Sequence, residues 1–277
     1  MDRRQFLRRL GIGTAGVAGV AAPVGAYAIG HRQGESTVEG NYSLSVKAGQ
    51  RRGAANVWWS VQTDAKVLAL TFDDGPTNQF TESVLDVLGT YHVPASFFLI
   101  GELVNRHPDH VRRALDEGHE VANHTFDHYG AARQSPDETR RTVERGADAV
   151  GAISGSRPRW FRPVKGEITG ALLNAAAEIG HDVAAWSVSR DPGIGTADDD
   201  VAGVRANYIN GLHEGAIVIF HDGIGRSAFE VSGPDEQLLT QRRTELAALP
   251  DVIERYLADG YEFLNISDLI DHHSRPQ

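Results

Sequence analysis

Seven apolar runs of strand length, "KVLALTF", "ASFFLI", "HEVAN", "RWFRP", "DVAAWSV", "AIVIF" and "YEFLNI", recur along this chain with helix-like stretches between them. No other feature narrows the fold as much. Strands separated by helices have the crossover length that parallel pairing needs, so the alternation predicts a parallel α/β sheet. An edge strand in "NVWWSVQT" opens the domain near Asn56, and a 277-residue chain with 41% hydrophobic content supplies the core of one large domain over residues 56–277. The helices carry their own punctuation. Ser135-Pro136-Asp137-Glu138 combines a capping serine, a proline at the first helical position and a glutamate three residues on, and "TGALLNAAAEIG" runs from a Thr169 cap to Gly180. The crossover from His221 to Tyr261, roughly forty residues, is longer than one βα unit requires, and part of it is expected to fold over a site.

Residues 1–28 hold four arginines and one acid, an apolar small-residue run from Leu10 to Ala22, and Ala26-Tyr27-Ala28 as a cleavage signal. "DRRQFLR" resembles a twin-arginine motif, which implies export of a folded protein to the cell wall, the periplasm or the medium, with membrane attachment only through an uncleaved signal. Residues 29–55 are polar and Gly-rich and read as a linker. Gly11, Gly13 and Gly16 spell G-x-G-x-x-G, but no strand precedes them, so the match carries no nucleotide site. Without residues 1–28 the balance is 23 basic to 36 acidic residues, or −13, a surface that repels nucleic acid. The chain has no cysteine, so any metal sits on His, Asp or Glu. "TADDDVAG" at 196–203 reads as acidic residues starting a helix.

Polar residues interrupt the apolar runs at one recurrent place, the C-terminal end of a strand: Asp73 and Asp74, His124, Arg162, Asp191 nearby, and His221. That rim is where parallel α/β folds build their sites. His124 and His128 are four residues apart, a spacing that lets both imidazoles face one ion, and a neighbouring carboxylate completes a set that leaves a divalent metal open to water. One aspartate of the Asp73–Asp74 pair suits the metal and the other suits proton acceptance, with Arg162 as the cation that holds it. His221 is either a satisfied core residue or a proton donor to a leaving group, and Asp191 either orients that imidazole or is a turn residue before Pro192. Trp58, Trp59, Trp160 and Trp186 read as core or edge packing.

Together "TFDDGP", "HTFDH", "RWFRPVKG", the "WSVSRDP" region and "IFHDG" resemble, in order, the motifs of NodB-like polysaccharide deacetylases, the carbohydrate esterase family four, over roughly residues 57–270. The resemblance implies a distorted (β/α) barrel of about seven parallel strands that removes acetyl groups from a glycan, with one divalent ion: zinc first, then cobalt, nickel or manganese. It assigns Asp74, His124 and His128 to the metal, Asp73 to the general base, Arg162 to its partner, His221 to the general acid with Asp191 beside it, and the Lys165 backbone N–H to the oxyanion. The substrate it implies is an N-acetylated amino sugar of peptidoglycan or a chitin-like glycan, processed by a monomer; O-acetyl esterases of xylan use the same machinery, and a non-catalytic glycan-binding protein is a third reading. This chain departs from the family at two points. Val164-Lys165 stands where a proline and an aromatic are usual, which is expected to favour carboxylate-bearing glycans, and Asp191 is followed by Pro192 rather than tryptophan.

Overall fold

The computed structural model describes residues 56–191, 200–229 and 235–273. The segments read as signal (1–28) and linker (29–55), and residues 196–199 of the acidic helix start, lie outside the described residues. Eight strands appear in chain order: β1 (Val57–Trp58), β2 (Val67–Asp73), β3 (Ser96–Leu99), β4 (Glu120–Asn123), β5 (Trp160–Phe161), β6 (Asp182–Ala184), β7 (Ala216–His221) and β8 (Glu262–Leu264). Every ladder between them is parallel, in the order β1-β6-β5-β4-β3-β2-β7, with β8 pairing β2. A parallel bridge from Val188, just past β6, to Val218 in β7 closes the ring. The strand beyond the seven apolar runs is β1, the edge strand expected near Asn56. β2 divides one edge between two neighbours: Val67–Ala69 pair with β8 and Thr71–Asp73 with β3.

Burial on both faces explains why these strands read as unbroken apolar runs. All seven residues of β2 are buried. Leu68, Leu70 and Phe72 point outward into the main core with Phe97, Val218, Phe220 and Tyr256. Ala69 points inward, where Phe98, Ala122, Ala184 and Ile217 fill the barrel. The period of two thus separates the helix-facing layer from the barrel interior. At the end of β2 the inward positions turn polar, with Thr71 and Asp73 both buried.

Helices α1 (Thr81–Tyr91), α2 (Gly101–Arg106), α3 (Pro108–Asp116), α4 (Pro136–Ser154), α5 (Gly170–Glu178), α6 (Val201–Gly211), α7 (Glu236–Ala258) and α8 (Ile266–His273) surround the sheet. On α1 the buried set Thr81, Val84, Leu85 and Leu88 follows i, i+3, i+4, i+7. The expected capping box starts α4: the Ser135 hydroxyl accepts from Glu138 N–H, and Glu138 reaches back to Ser135 N–H at 2.8 Å. Thr169 caps α5 through Leu172 N–H at 3.2 Å, and Gly180 follows the helix at φ +79. Asp200 caps α6 by accepting from Gly203 N–H at 2.8 Å. One contact fixes how α4 meets the sheet. A Cβ on Gly146 would lie 2.2 Å from Asn123 Oδ1 and 2.7 Å from the Thr125 carbonyl carbon, so only glycine lets α4 pack against the end of β4.

Candidate active site

Register brings the first pair of polar residues together. β2 and β7 pair from Leu68↔Ala216 through Asp73↔His221, so the Asp73 and His221 backbones lie side by side on the rim. Asp74 then takes φ 78, a left-handed conformation that an L-residue adopts at a cost, and its carboxylate turns to the same side as Asp73. Adjacent aspartates on an extended strand would point apart. Among the described residues five non-glycine positions have positive φ; Asp74, Thr125, His128 and Lys165 belong to this rim, and His92 ends α1.

Asp74, His124 and His128 offer ligand atoms that all lie within 4.8 Å of one another. Asp74 Oδ1 is 2.9 Å from His128 Nε2 and 3.6 Å from His124 Nε2. His124 Nδ1 donates to the Arg162 carbonyl at 2.8 Å, which leaves Nε2 as the free lone pair facing the cluster. Two imidazoles and one carboxylate, all from hard or borderline donors, fit zinc or another first-row divalent ion with positions to spare for water. Burial works against every charge here, yet the two imidazoles and the Arg242 guanidinium outweigh it and hold the Asp74 carboxyl well below the usual range. For His124 the same burial is overcome by Asp73 and Asp74, which raise its pKa.

Asp73 faces a different partner. Its Oδ1 accepts from Arg162 Nη1 at 2.7 Å, while Oδ2 stays 3.8 Å from His124 Nε2, on the metal-ligand side. Arg162 is fully buried inside the barrel and spends its other donors on Thr71 Oγ1 (2.9 Å), the Ala184 carbonyl (3.0 Å) and the Ala185 carbonyl (2.9 Å). Its plane lies 3.9 Å from the Phe98 ring centre. A buried guanidinium that is hydrogen-bonded on every side is fixed in place, and it fixes Asp73 in turn.

His221 lies across the same cleft, but not with the expected carboxylate. Its Nδ1 donates to Glu245 Oε2 at 3.1 Å and Oε1 at 3.2 Å. Asp191, expected beside His221, is 42% exposed and accepts from Arg190 Nε at 3.3 Å. The Ser189 hydroxyl, donating to the Asp191 carbonyl at 2.9 Å, closes a local turn that keeps Asp191 outside. Glu245 is fully buried in α7; burial alone would raise its carboxyl, but His221 and Arg242 pull it down, and the Tyr208 hydroxyl donates to it at 3.3 Å. Arg242, one turn earlier on α7, ties the two halves together: Nη2 donates to Asp74 Oδ2 at 3.1 Å, Nη1 is 3.5 Å from Glu245 Oε2, and Nε donates to the Gly223 carbonyl at 2.7 Å.

Sequence reading missed Arg242 and Glu245, and a signal for both was present. They share the helical stripe of Leu239, Leu249 and Val252, where charged residues have no reason to be buried unless they are paired. The long crossover expected to fold over the site is their source. The four tryptophans divide: Trp160 is fully buried with its indole N–H on Ser267 Oγ at 2.8 Å, Trp58 is partly buried and Trp59 is half exposed, whereas Trp186, read as packing, lines the cleft. The cleft is about 560 Å³ and takes in both aspartates, the two histidines of the cluster, His221, Lys165 and Trp186.

The chain matches the family model described as polysaccharide deacetylase over residues 60–184. A peptidoglycan-N-acetylglucosamine deacetylase of Bacillus cereus is 33% identical over 214 residues, 77% of this chain and 92% of that protein. A chitooligosaccharide deacetylase of Bradyrhizobium is 41% identical over 156 residues, 56% of this chain and 69% of that one. Among solved structures, a peptidoglycan N-acetylglucosamine deacetylase in complex with a hydroxamate-bearing naphthyl benzamide matches with a TM-score of 0.66 at 27% identity, covering 79% of this chain and 95% of its own. With the parallel barrel and the rim of motif residues, these likenesses establish that the chain belongs to the polysaccharide deacetylase family, hydrolases of carbon–nitrogen bonds in acetylated glycans.

Proposed function

We propose that this protein is an exported, metal-dependent enzyme that hydrolyses N-acetyl groups on the amino sugars of a peptidoglycan- or chitin-like glycan. The observation that carries the reading is the convergence, in one cleft, of the Asp74–His124–His128 donor set with two separately anchored proton carriers, Asp73 on Arg162 and His221 on Glu245. A divalent ion held by the three donors, zinc in the first instance and cobalt, nickel or manganese as alternatives, supplies Lewis acidity toward the acetyl carbonyl and its attacking water. Asp73 Oδ2, the oxygen that Arg162 leaves free, takes the proton from that water. His221, with Nδ1 occupied by Glu245, presents Nε2 to the departing amine and gives it a proton. The Lys165 backbone N–H receives the developing oxyanion. Peptidoglycan and chitooligosaccharide relatives support N-acetyl over O-acetyl substrates.

Acetate release from N-acetylated oligosaccharides and from peptidoglycan tests the reading. Activity is expected to disappear with chelator and return with added zinc or cobalt. Asp74→Ala should lose the metal, read by elemental analysis, whereas Asp73→Asn should keep it and lose activity by roughly 10²-fold or more, as for removal of a general base. Asp73→Asn protein purified without metal would contradict the division of roles, and acetate released only from O-acetylated xylan would contradict the substrate.

A further inference from the structure

Beside the catalytic cleft lies a second groove of about 320 Å³, lined by Asp127, Tyr129, Arg133, Gln134, Glu138, Arg141, Thr142 and Arg145. Tyr129 and Arg133 line both, so the groove continues the cleft rather than standing apart from it. Its charge is what sets it off. Many arginines elsewhere on this acidic chain are paired: Arg106 with Glu102, Arg113 with Asp86 and Glu117, Arg157 with Asp148, Arg205 with Asp251. Among the described residues no carboxylate comes within ion-pair distance of Arg133, Arg141 or Arg145, although Glu138 attracts Arg141 from further away, and Lys165 at the adjoining cleft wall has no ion-pair partner either.

The two carboxylates of the groove are already committed. Glu138 accepts from Ser135 N–H and Oγ in the capping box, and Asp127 Oδ1 accepts from Thr142 Oγ1 at 2.7 Å. Helix α4 meanwhile spends Glu144 on Arg140, leaving Arg141 and Arg145 one turn apart as a like-charge pair that the charge of Glu138 offsets in part. Arg145 is held flat, its guanidinium 3.6 Å from the Phe126 ring centre, with its N–H groups bonded to no acceptor among the described residues. Gln134 Oε1 is out of solvent and has no donor among the described residues, so it is free to accept from a hydroxyl of a sugar, not from a carboxylate.

Resting on the deacetylase reading above, we propose that this groove is a subsite for carboxylate groups carried by the glycan next to the sugar being deacetylated, with Arg133, Arg141 and Arg145 as its anion-binding residues. A carboxylate takes two parallel N–H bonds from a guanidinium, and unpaired arginines in a concave surface have that capacity to spare. The polymer substrate is therefore acidic, and the groove adds selectivity without touching the reacting atoms.

The test compares kcat/KM of the metal-loaded full chain on neutral N-acetylglucosamine oligomers with that on chains carrying carboxylates, in two arms: the carboxylate on the sugar as a lactyl ether, and the carboxylate on a peptide appendage. Wild-type protein is expected to prefer at least one acidic arm, with a preference that fades as salt rises. Arg141→Gln should lower the acidic-to-neutral ratio by about tenfold, the loss expected for one charge-assisted hydrogen-bonded contact, and Arg141→Lys should restore part of it. Equal rates on acidic and neutral chains, or a ratio that neither salt nor Arg141→Gln moves, would overturn the proposal. Calorimetric binding of the same chains to the Asp73→Asn protein separates this from failure of the deacetylase reading. If no substrate loses acetate but acidic chains still bind more tightly, the subsite stands and the chemistry falls.

Discussion

At the scale of single residues, the arrangement solves the problem posed by two neighbouring aspartates at a strand end. Asp73 continues the inward alternation of β2 and meets Arg162; Asp74 breaks that alternation with a left-handed backbone and joins the two histidines. The sequence motif announces both carboxylates but not the torsion that unites them. On the opposite wall, the partner of His221 is Glu245, and this makes a prediction that discriminates. Glu245→Gln keeps a group of the same shape but removes the charge that anchors Nδ1–H, and kcat should fall by roughly 10- to 100-fold, since general acid catalysis as a whole contributes about 10²–10⁴. Asp191→Asn should change kcat by less than about threefold, because among the described residues that half-exposed side chain pairs with Arg190 and with no group of the cleft. The pair of kcat values, taken with metal content to confirm that both variants stay loaded, distinguishes the two carboxylates. A greater loss in Asp191→Asn would reverse the assignment.

Elements decide where those residues go, and here the legibility of the sequence is uneven for physical reasons. Strands buried on both faces announce themselves as apolar runs, and caps such as Ser135 and Thr169 are local chemistry, so both were readable. Helix α7 was harder: charges on its apolar stripe are a local signal that Arg242 and Glu245 are buried and paired, but the partner lies some 170 positions away in sequence, from Arg242 to Asp74, and no local pattern encodes that contact. Close approach is equally silent. Gly146 looks like a weak point in α4, and by propensity alone Gly146→Ala should stabilise the helix by about 1 kcal/mol. The structure reverses the sign. The added methyl meets Asn123 Oδ1 and the backbone of Thr125, on either side of His124, so α4 must retreat or the loop must shift. A net loss on the order of 1–3 kcal/mol is expected, as for overpacking, with weaker zinc binding. Urea unfolding and a zinc titration measure the two effects, and a variant more stable than the wild type with unchanged zinc affinity would show that the contact yields.

For the molecule as a whole, the meeting of β2 and β7 stores a pH dependence opposite in sign to that of Asp74 and Glu245. Asp222 follows His221 and is fully buried, with the Thr81 hydroxyl donating to Oδ2 at 2.5 Å and Oδ1 without a partner among the described residues. Gly75 leaves it room, since a Cβ there would lie 2.1 Å from Oδ2. Burial pushes its carboxyl up to about 7; the Thr81 bond opposes that and the charges of Asp74 and Asp73 add to it. The folded state therefore binds this proton more tightly than the unfolded chain does, whose carboxyl titrates near 3.8. The resulting stability is complete below the unfolded value and is lost as pH rises through 7. Asp74 and Glu245, both lowered, act in the opposite sense and lose their contribution as pH falls. The wild-type profile mixes these terms, so the difference between wild type and Asp222→Asn isolates one of them. In metal-free protein, Asp222→Asn should gain stability relative to wild type by a few kcal/mol between about pH 5 and about pH 8, read by urea unfolding at each pH. A divalent ion in the neighbouring donor set favours the ionised carboxyl, so loading the protein with zinc should shrink that difference. Parallel wild-type and Asp222→Asn profiles in the metal-free protein would mean that Asp222 is already ionised at low pH and that the interior of this barrel is wetter than its packing indicates.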